Sequence, residues 1–248
     1  MRQASFLLFL LLAGTGLSAA ERIPAWMIPL REAIFEQQLT ASEVRSLYLE
    51  TQRLARANLS GAALDLELAR AESFMGRALL FEERNSEARP HFAEGLRLAE
   101  RAVAASPSAE NWTIRSETLS HLIQTSNWTF ALANGLDVER FARQALALDP
   151  RHPGALYLIA ARWVFAPRPF NNFNRGVEMM RAILEQDNLN KDDVFNASSA
   201  IGWAMIQQRR FSEAQPWLLR ALAIYPTNRF VQGLLAEANA GVGTRGAR

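Results

Sequence analysis

Between Asp193 and Pro226, small and apolar residues recur at intervals that suit closely packed helices. Gly202, Ala214, Leu218, Ala221 and Pro226 are separated by 12, 4, 3 and 5 residues. Packed helices approach to roughly 8–10 Å, and small side chains at the crossing permit the near end of that range. The spacing predicts one helix through Gly202, a turn at Arg209-Arg210-Phe211-Ser212 with Ser212 as N-cap, and a second helix through Ala221. Gly202 and Ala214 are expected to face each other, Leu218 to fill the space between layers, and Ala221 to lie against the following unit. Pro226 has no N–H and biases Tyr225 away from helix, so the second helix ends there.

The pattern occurs again upstream. Gly76, Ala88, Phe92 and Gly95 repeat the 12, 4 and 3 intervals around a turn at Asn85-Ser86, but the closing proline, Pro107, comes 7 residues late. Seven residues are about two helical turns, so the apolar face keeps its direction. A third unit, 109–150, ends on Ala145 and Pro150; its first helix is expected to run unbroken through Ser126 to Gly135. A fourth begins at Pro153 with Ala160 in the small position, and APRPFNNFN, 166–174, stands where a short turn belongs, with helix resuming near Arg175. Before the repeats, a short helix over 30–39 precedes Thr40 and Glu43, a capping box opening a helix over 41–57. A closing helix is expected from Thr227, its N-cap, to Ala240.

These spacings resemble the tetratricopeptide repeat (TPR) over 69–226. The resemblance implies an all-α fold, a right-handed TPR-like solenoid of antiparallel helix hairpins. Residues 1–20 are then a signal peptide, 21–61 an N-terminal helical cap, 62–240 the repeat domain with a C-terminal capping helix, and 241–248 a flexible tail. The exported helical layout, with a loop inserted after a small-residue first helix, is similar to the periplasmic TPR proteins associated with TRAP-type transporters. That similarity implies pairing with a transporter's substrate-binding protein and a pore that passes apolar ligand. Members of that group carry a lipidated cysteine; here Thr15 follows Leu12-Ala13-Gly14.

The leader reading rests on Arg2, the apolar run Phe6–Ala13 and the small-x-small site Ser18-Ala19-Ala20. It predicts an exported, periplasmic protein beginning at Glu21, an uncleaved anchor being the alternative. The chain has no cysteine, which removes disulfides, thiol chemistry and lipidation. Lys+Arg total 27 against Asp+Glu 25, Lys191 is the single lysine, and no basic block suits nucleic acid. No later segment is apolar and long enough to cross a membrane.

In the repeat register the first helix of each hairpin lines a concave groove. The groove-facing residues are then Arg70, Ser73, Arg77 and Phe81, followed by Asn127 and Phe130, Tyr157, Ala161 and Phe165, and finally Asn196, Ser199, Trp203 and Gln207. Such mixed polar and aromatic surfaces bind extended or helical peptides. Arg70 and Arg77 either clamp a carboxylate or pair along their helix with Glu67 and Glu72. In the inserted loop, Phe170, Asn171, Asn172 and Phe173 either form a binding rim or pack back on Trp163 and Met179. Trp112, Trp128, Trp163 and Trp203 are either core or the lining of a ligand cavity. His91, His121 and His152 lack metal-ligand spacing, and no nucleophile, phosphate-loop or paired-carboxylate motif is present. The expectation is a non-catalytic scaffold without cofactor that binds an exported protein or peptide. The alternatives are a carrier of a small apolar ligand, with a cavity of a few hundred Å³ among Trp128, Trp163, Phe165 and Trp203, and an envelope-assembly adaptor.

Overall fold

The computed structural model describes residues 22–246, so the expected signal peptide, 1–20, lies outside the described residues. Within them the chain forms eleven α-helices and no strand. They are α1 (Ile28–Glu36), α2 (Ala41–Asn58), α3 (Gly61–Phe81), α4 (Asn85–Ala105), α5 (Ala109–Gln124), α6 (Trp128–Leu148), α7 (Pro153–Phe165), α8 (Phe173–Leu184), α9 (Lys191–Gln207), α10 (Phe211–Leu222) and α11 (Arg229–Gly246). None of these helices is long and apolar enough to cross a membrane.

Each helix packs on the next in sequence, and each odd-numbered helix also touches the next odd one from α1 to α11. The odd helices thus make one continuous layer, covered by the even ones. Local sequence sets most helix starts. Thr40 and Glu43 form the expected capping box, and Asn190 with Asp193 forms another at α9. Ser108, Asn127 and Asn172 each accept a backbone N–H three residues on, at the starts of α5, α6 and α8.

The turns of the two clearest units are alike bond for bond. Glu83 and Arg209 both take a left-handed φ of 59°. Arg84 N–H donates to the Leu79 carbonyl at 3.0 Å, and Arg210 N–H to Met205 at 2.8 Å. Arg84 pairs with Glu87 at 2.7 Å, and Arg210 with Glu213 at 2.6 Å. Arg210, not Ser212, therefore precedes the second helix. The helix crossings also match. A Cβ on Gly76 would lie 2.6 Å from the Phe92 ring, and one on Gly202 2.4 Å from Leu218. Gly202 is thus covered by Leu218, one turn beyond the expected Ala214, because the bulky side chain fills the space the glycine leaves. Gly202→Ala should clash at an overpacking cost of about 1–3 kcal/mol, beyond the gain of about 1 kcal/mol from helix propensity. Gly135→Ala, with nothing within 4 Å, should instead stabilise. Denaturant midpoints of the two variants should move in opposite directions.

Other boundaries also differ from the sequence expectation: α1 ends at Glu36, where Gln37 turns left-handed, rather than at 39. The helix predicted to run through Ser126 breaks there. Thr125 and Ser126 hydroxyls donate back to Leu122, and Asn127 caps a new helix, so Gly135 lies inside α6. This break makes α6 as long as α4, at 21 residues each. At the other end Asn228, not Thr227, accepts the Val231 N–H at the start of the closing helix, which continues to Gly246 rather than stopping at Ala240. Thr227 is engaged elsewhere, donating to the Glu36 carbonyl at 2.8 Å.

That last contact belongs to a larger arrangement. The α1–α2 pair covers the first repeat unit through Met27, Leu30, Ile34 and Val44, packed on Phe74, Met75 and Leu79. Residues 22–36 also reach the far end of the chain. Phe35 belongs to the C-terminal core, edge-on to Phe195 at 5.4 Å and stacked on Tyr225 at 4.9 Å. Arg22 pairs with Asp193 at 2.6 Å, Lys191 with Glu32 at 2.6 Å and Arg31 with Asp192 at 3.3 Å. Asn228 donates to the Phe35 carbonyl at 2.7 Å. The N-terminal segment therefore joins the first unit to the last.

Candidate functional site

The joined ends bound a cavity of about 400 Å³ on the odd-helix layer. Its walls come from residues 22–35, α3, α5, α7 and the start of α9. A second hollow, about 460 Å³, lies on the opposite layer between α8 and Arg210, with polar walls of Asn174, Glu178, Arg181 and Glu185.

One side of the cavity is an ionic brace. Arg70 on α3 is buried and bonded to Glu110 on α5, with Glu67 3.3 Å away. Glu110 also meets His152 Nε2, at the start of α7, at 2.7 Å. His152 Nδ1 accepts the Ala155 N–H at 3.3 Å as the helix cap, so Nε2 carries the proton and donates to Glu110. The Thr113 hydroxyl lies 3.3 Å from Nδ1, which outlines a hydroxyl, imidazole and carboxylate in a row. The chemistry of a nucleophile is missing: the hydroxyl donates instead to the Ala109 carbonyl at 2.8 Å, and Nδ1 is already accepting. The group ties α3, α5 and α7 together.

Burial alone would raise the Glu110 carboxyl, but the Arg70 charge and the His152 bond outweigh it and hold it well below the usual carboxylate range. A carboxyl lowered on folding contributes stability in full above its unfolded value and loses it as pH falls through the folded one. Burial pushes the neighbouring Glu67 upward, an effect of opposite sign. Wild type minus Glu110→Gln is therefore the informative difference: it should shrink as pH falls below 4.5, the ordinary carboxylate value.

The other side is aromatic. The Arg77 guanidinium lies 4.8 Å from the Phe35 ring centroid and 5.9 Å from that of Phe74. Phe81, Tyr157 and Phe165 line the same space, with Asn196 at the rim of α9. Burial pushes the Tyr157 hydroxyl up to about 12, against the opposing pull of Arg77, so it stays a neutral donor at neutral pH.

Of the residues assigned to a groove, the cavity gathers Arg70, Arg77, Phe81, Tyr157, Ala161, Phe165 and Asn196. Ser73 and Ser199 are buried in the helix layer and do not line it. Asn127 is the α6 cap, away from the odd-helix layer, because the helix break moves it to the even one. Gln207 is exposed at the end of α9, outside the cavity. Trp203 stands behind Phe165, at 5.0 Å between centroids, and Phe173 meets it edge-on at 5.9 Å. In the inserted loop Asn172 caps α8 and donates its N–H to the Trp163 carbonyl at 2.8 Å, Asn171 is half-buried, and Phe170 is exposed. Trp163 is covered by Arg162 and Arg175, and Trp128 is exposed. The cavity therefore has the expected size but not the tryptophan lining.

Sequence reading missed the walls supplied by Arg22, Arg31, Phe35, Glu110, Glu117 and His152. Each histidine faces its own glutamate: His91 with Glu72 at 2.7 Å, His121 with Glu117 at 3.6 Å, and His152 with Glu110. Among the described residues no three His, Asp or Glu side chains are grouped to hold a metal. No protein-family model matches the chain, and no curated protein is significantly similar to it.

Proposed function

We propose that this protein is a TPR-type, right-handed solenoid of antiparallel hairpins, exported and non-catalytic, that holds a small apolar or amphipathic molecule inside its first-helix layer. The matching turns of α3–α4 and α9–α10, and the equivalent crossings at Gly76 and Gly202, support the repeat assignment. The single observation that carries the function is the bridge formed by residues 22–36. It bounds the layer where a TPR groove would lie open, and what remains is a space of about 400 Å³. Ligand pockets run from about 300 to 1,000 Å³, so the space suits a small molecule better than a long peptide.

A second reading, a scaffold for an exported protein such as a TRAP solute-binding partner, draws support from a different surface. Trp128, Leu132 and Leu136 on α6 are 60%, 58% and 69% exposed and fall on one stripe at i, i+4 and i+8. The two readings separate by native mass spectrometry of residues 21–248 prepared by export. A retained small-molecule adduct supports the carrier. A stoichiometric protein partner, captured from envelope extract and lost in Leu132→Glu, supports the scaffold instead.

A further inference from the structure

Four arginines line the cavity: Arg22, Arg31, Arg70 and Arg77. Three have carboxylate partners, namely Asp193 for Arg22, Asp192 for Arg31, and Glu110 with Glu67 for Arg70. Arg77 has no carboxylate within ion-pair distance among the described residues and is held by the rings of Phe35 and Phe74. Stacking occupies the faces of a guanidinium and leaves its edge N–H donors free. Tyr157 lines the same space, and its hydroxyl has no hydrogen-bond partner among the described residues. Glu117 is a competing charge: it feels Arg77, and it lies 3.6 Å from His121. Burial would raise the Glu117 carboxyl, and the neighbouring His121, Arg77 and Arg70 together keep it lowered and ionised.

Two uncommitted donors beside Phe74, Phe81 and Phe165 define an acceptor-only head next to an apolar body. Resting on the cavity-binding reading above, we propose that the ligand is an organic carboxylate with an apolar chain or ring, its carboxylate on Arg77 and Tyr157. A planar guanidinium edge matches the two oxygens of a carboxylate. An ammonium head would be repelled there, and a plain alcohol would leave a guanidinium donor unmatched. At about 30 Å³ for each water-sized group, the cavity holds about a dozen non-hydrogen atoms.

Decanoate has about that size, and decan-1-ol is its uncharged counterpart. In calorimetric titrations of residues 21–248, decanoate should bind one to one and decan-1-ol at least about tenfold more weakly. Loss of a charge-assisted hydrogen bond predicts that Arg77→Gln weakens decanoate by about 10–100-fold and does not weaken decan-1-ol. Arg77→Lys, which keeps the charge, should recover part of the loss, and Glu117→Gln should tighten decanoate several-fold. Equal binding of acid and alcohol, unmoved in Arg77→Gln, would overturn carboxylate recognition while leaving the apolar cavity reading intact. Binding of neither at millimolar concentration would overturn both. Circular dichroism of each variant separates loss of a contact from loss of fold, and the Arg77→Lys result stands if Arg77→Gln does not fold.

Discussion

Phe35→Ala is expected to destabilise the protein by about 3–5 kcal/mol, although Phe35 lies on a nine-residue helix at the edge of the fold. The ring is 3% exposed and sits in the core of the opposite end of the chain. It stacks on Tyr225 with 14° between planes and meets Phe195 at 89°, geometries worth about 0.5–1.5 kcal/mol each beyond burial. Removing it leaves a cavity between elements about 160 and 190 positions away in sequence, where collapse requires the two ends to shift together. Phe35→Leu keeps most of the volume and should cost nearer 1 kcal/mol. Denaturant unfolding of both variants measures this; a loss under 1 kcal/mol for Phe35→Ala would mean that α1 is not docked on the last unit in solution.

Arg70→Ala should have a comparable effect for a different reason. Arg70 is 8% exposed, and its guanidinium is the shared counter-charge for Glu67 and Glu110. Breaking a buried ion group by removing one member costs about 3–5 kcal/mol, because the charges left behind stay desolvated without compensation. If that is the cause, also neutralising the carboxylates should restore stability. Arg70→Ala combined with Glu67→Gln and Glu110→Gln should be more stable than Arg70→Ala alone, a coupling that a mutant cycle isolates. Additive losses would show instead that Arg70 acts through packing of its stem. The variant also tests whether the brace positions the cavity wall, since α3, α5 and α7 all meet at Glu110 and His152.

How much of this was readable in advance depended on how local the signal was. The Gly202 and Gly76 units were visible because a glycine that admits a bulky neighbour leaves a fixed interval in the chain, here the 16 residues to Leu218 and to Phe92. The capping box at Thr40 was visible for the same reason: both partners lie within one turn. The break at Thr125-Ser126-Asn127 was also present as a turn-rich triplet ending in an N-cap residue, and the pull of a continuous apolar period hid it. The α1 bridge left no such mark. Phe35 reads as an ordinary apolar position of a short helix, and its partners Phe195 and Tyr225 satisfy their own local patterns. Arg77 and Arg70, a helical heptad apart on one face, look equivalent in sequence; only Glu110 on the next odd helix distinguishes the committed arginine from the stacked one.

The most direct test of the bridged architecture is hydrogen exchange compared between the wild-type chain and Phe35→Ala, in conditions where both remain folded. Phe35 joins α1 to α9 and to the turn before α11. The bridge therefore predicts that amides in 28–36, 191–196 and 225–232 lose protection together, while those of α5 hold theirs. Faster exchange confined to α1, with 191–196 and 225–232 unchanged, would contradict it, and with it the bounded cavity on which the proposed function stands.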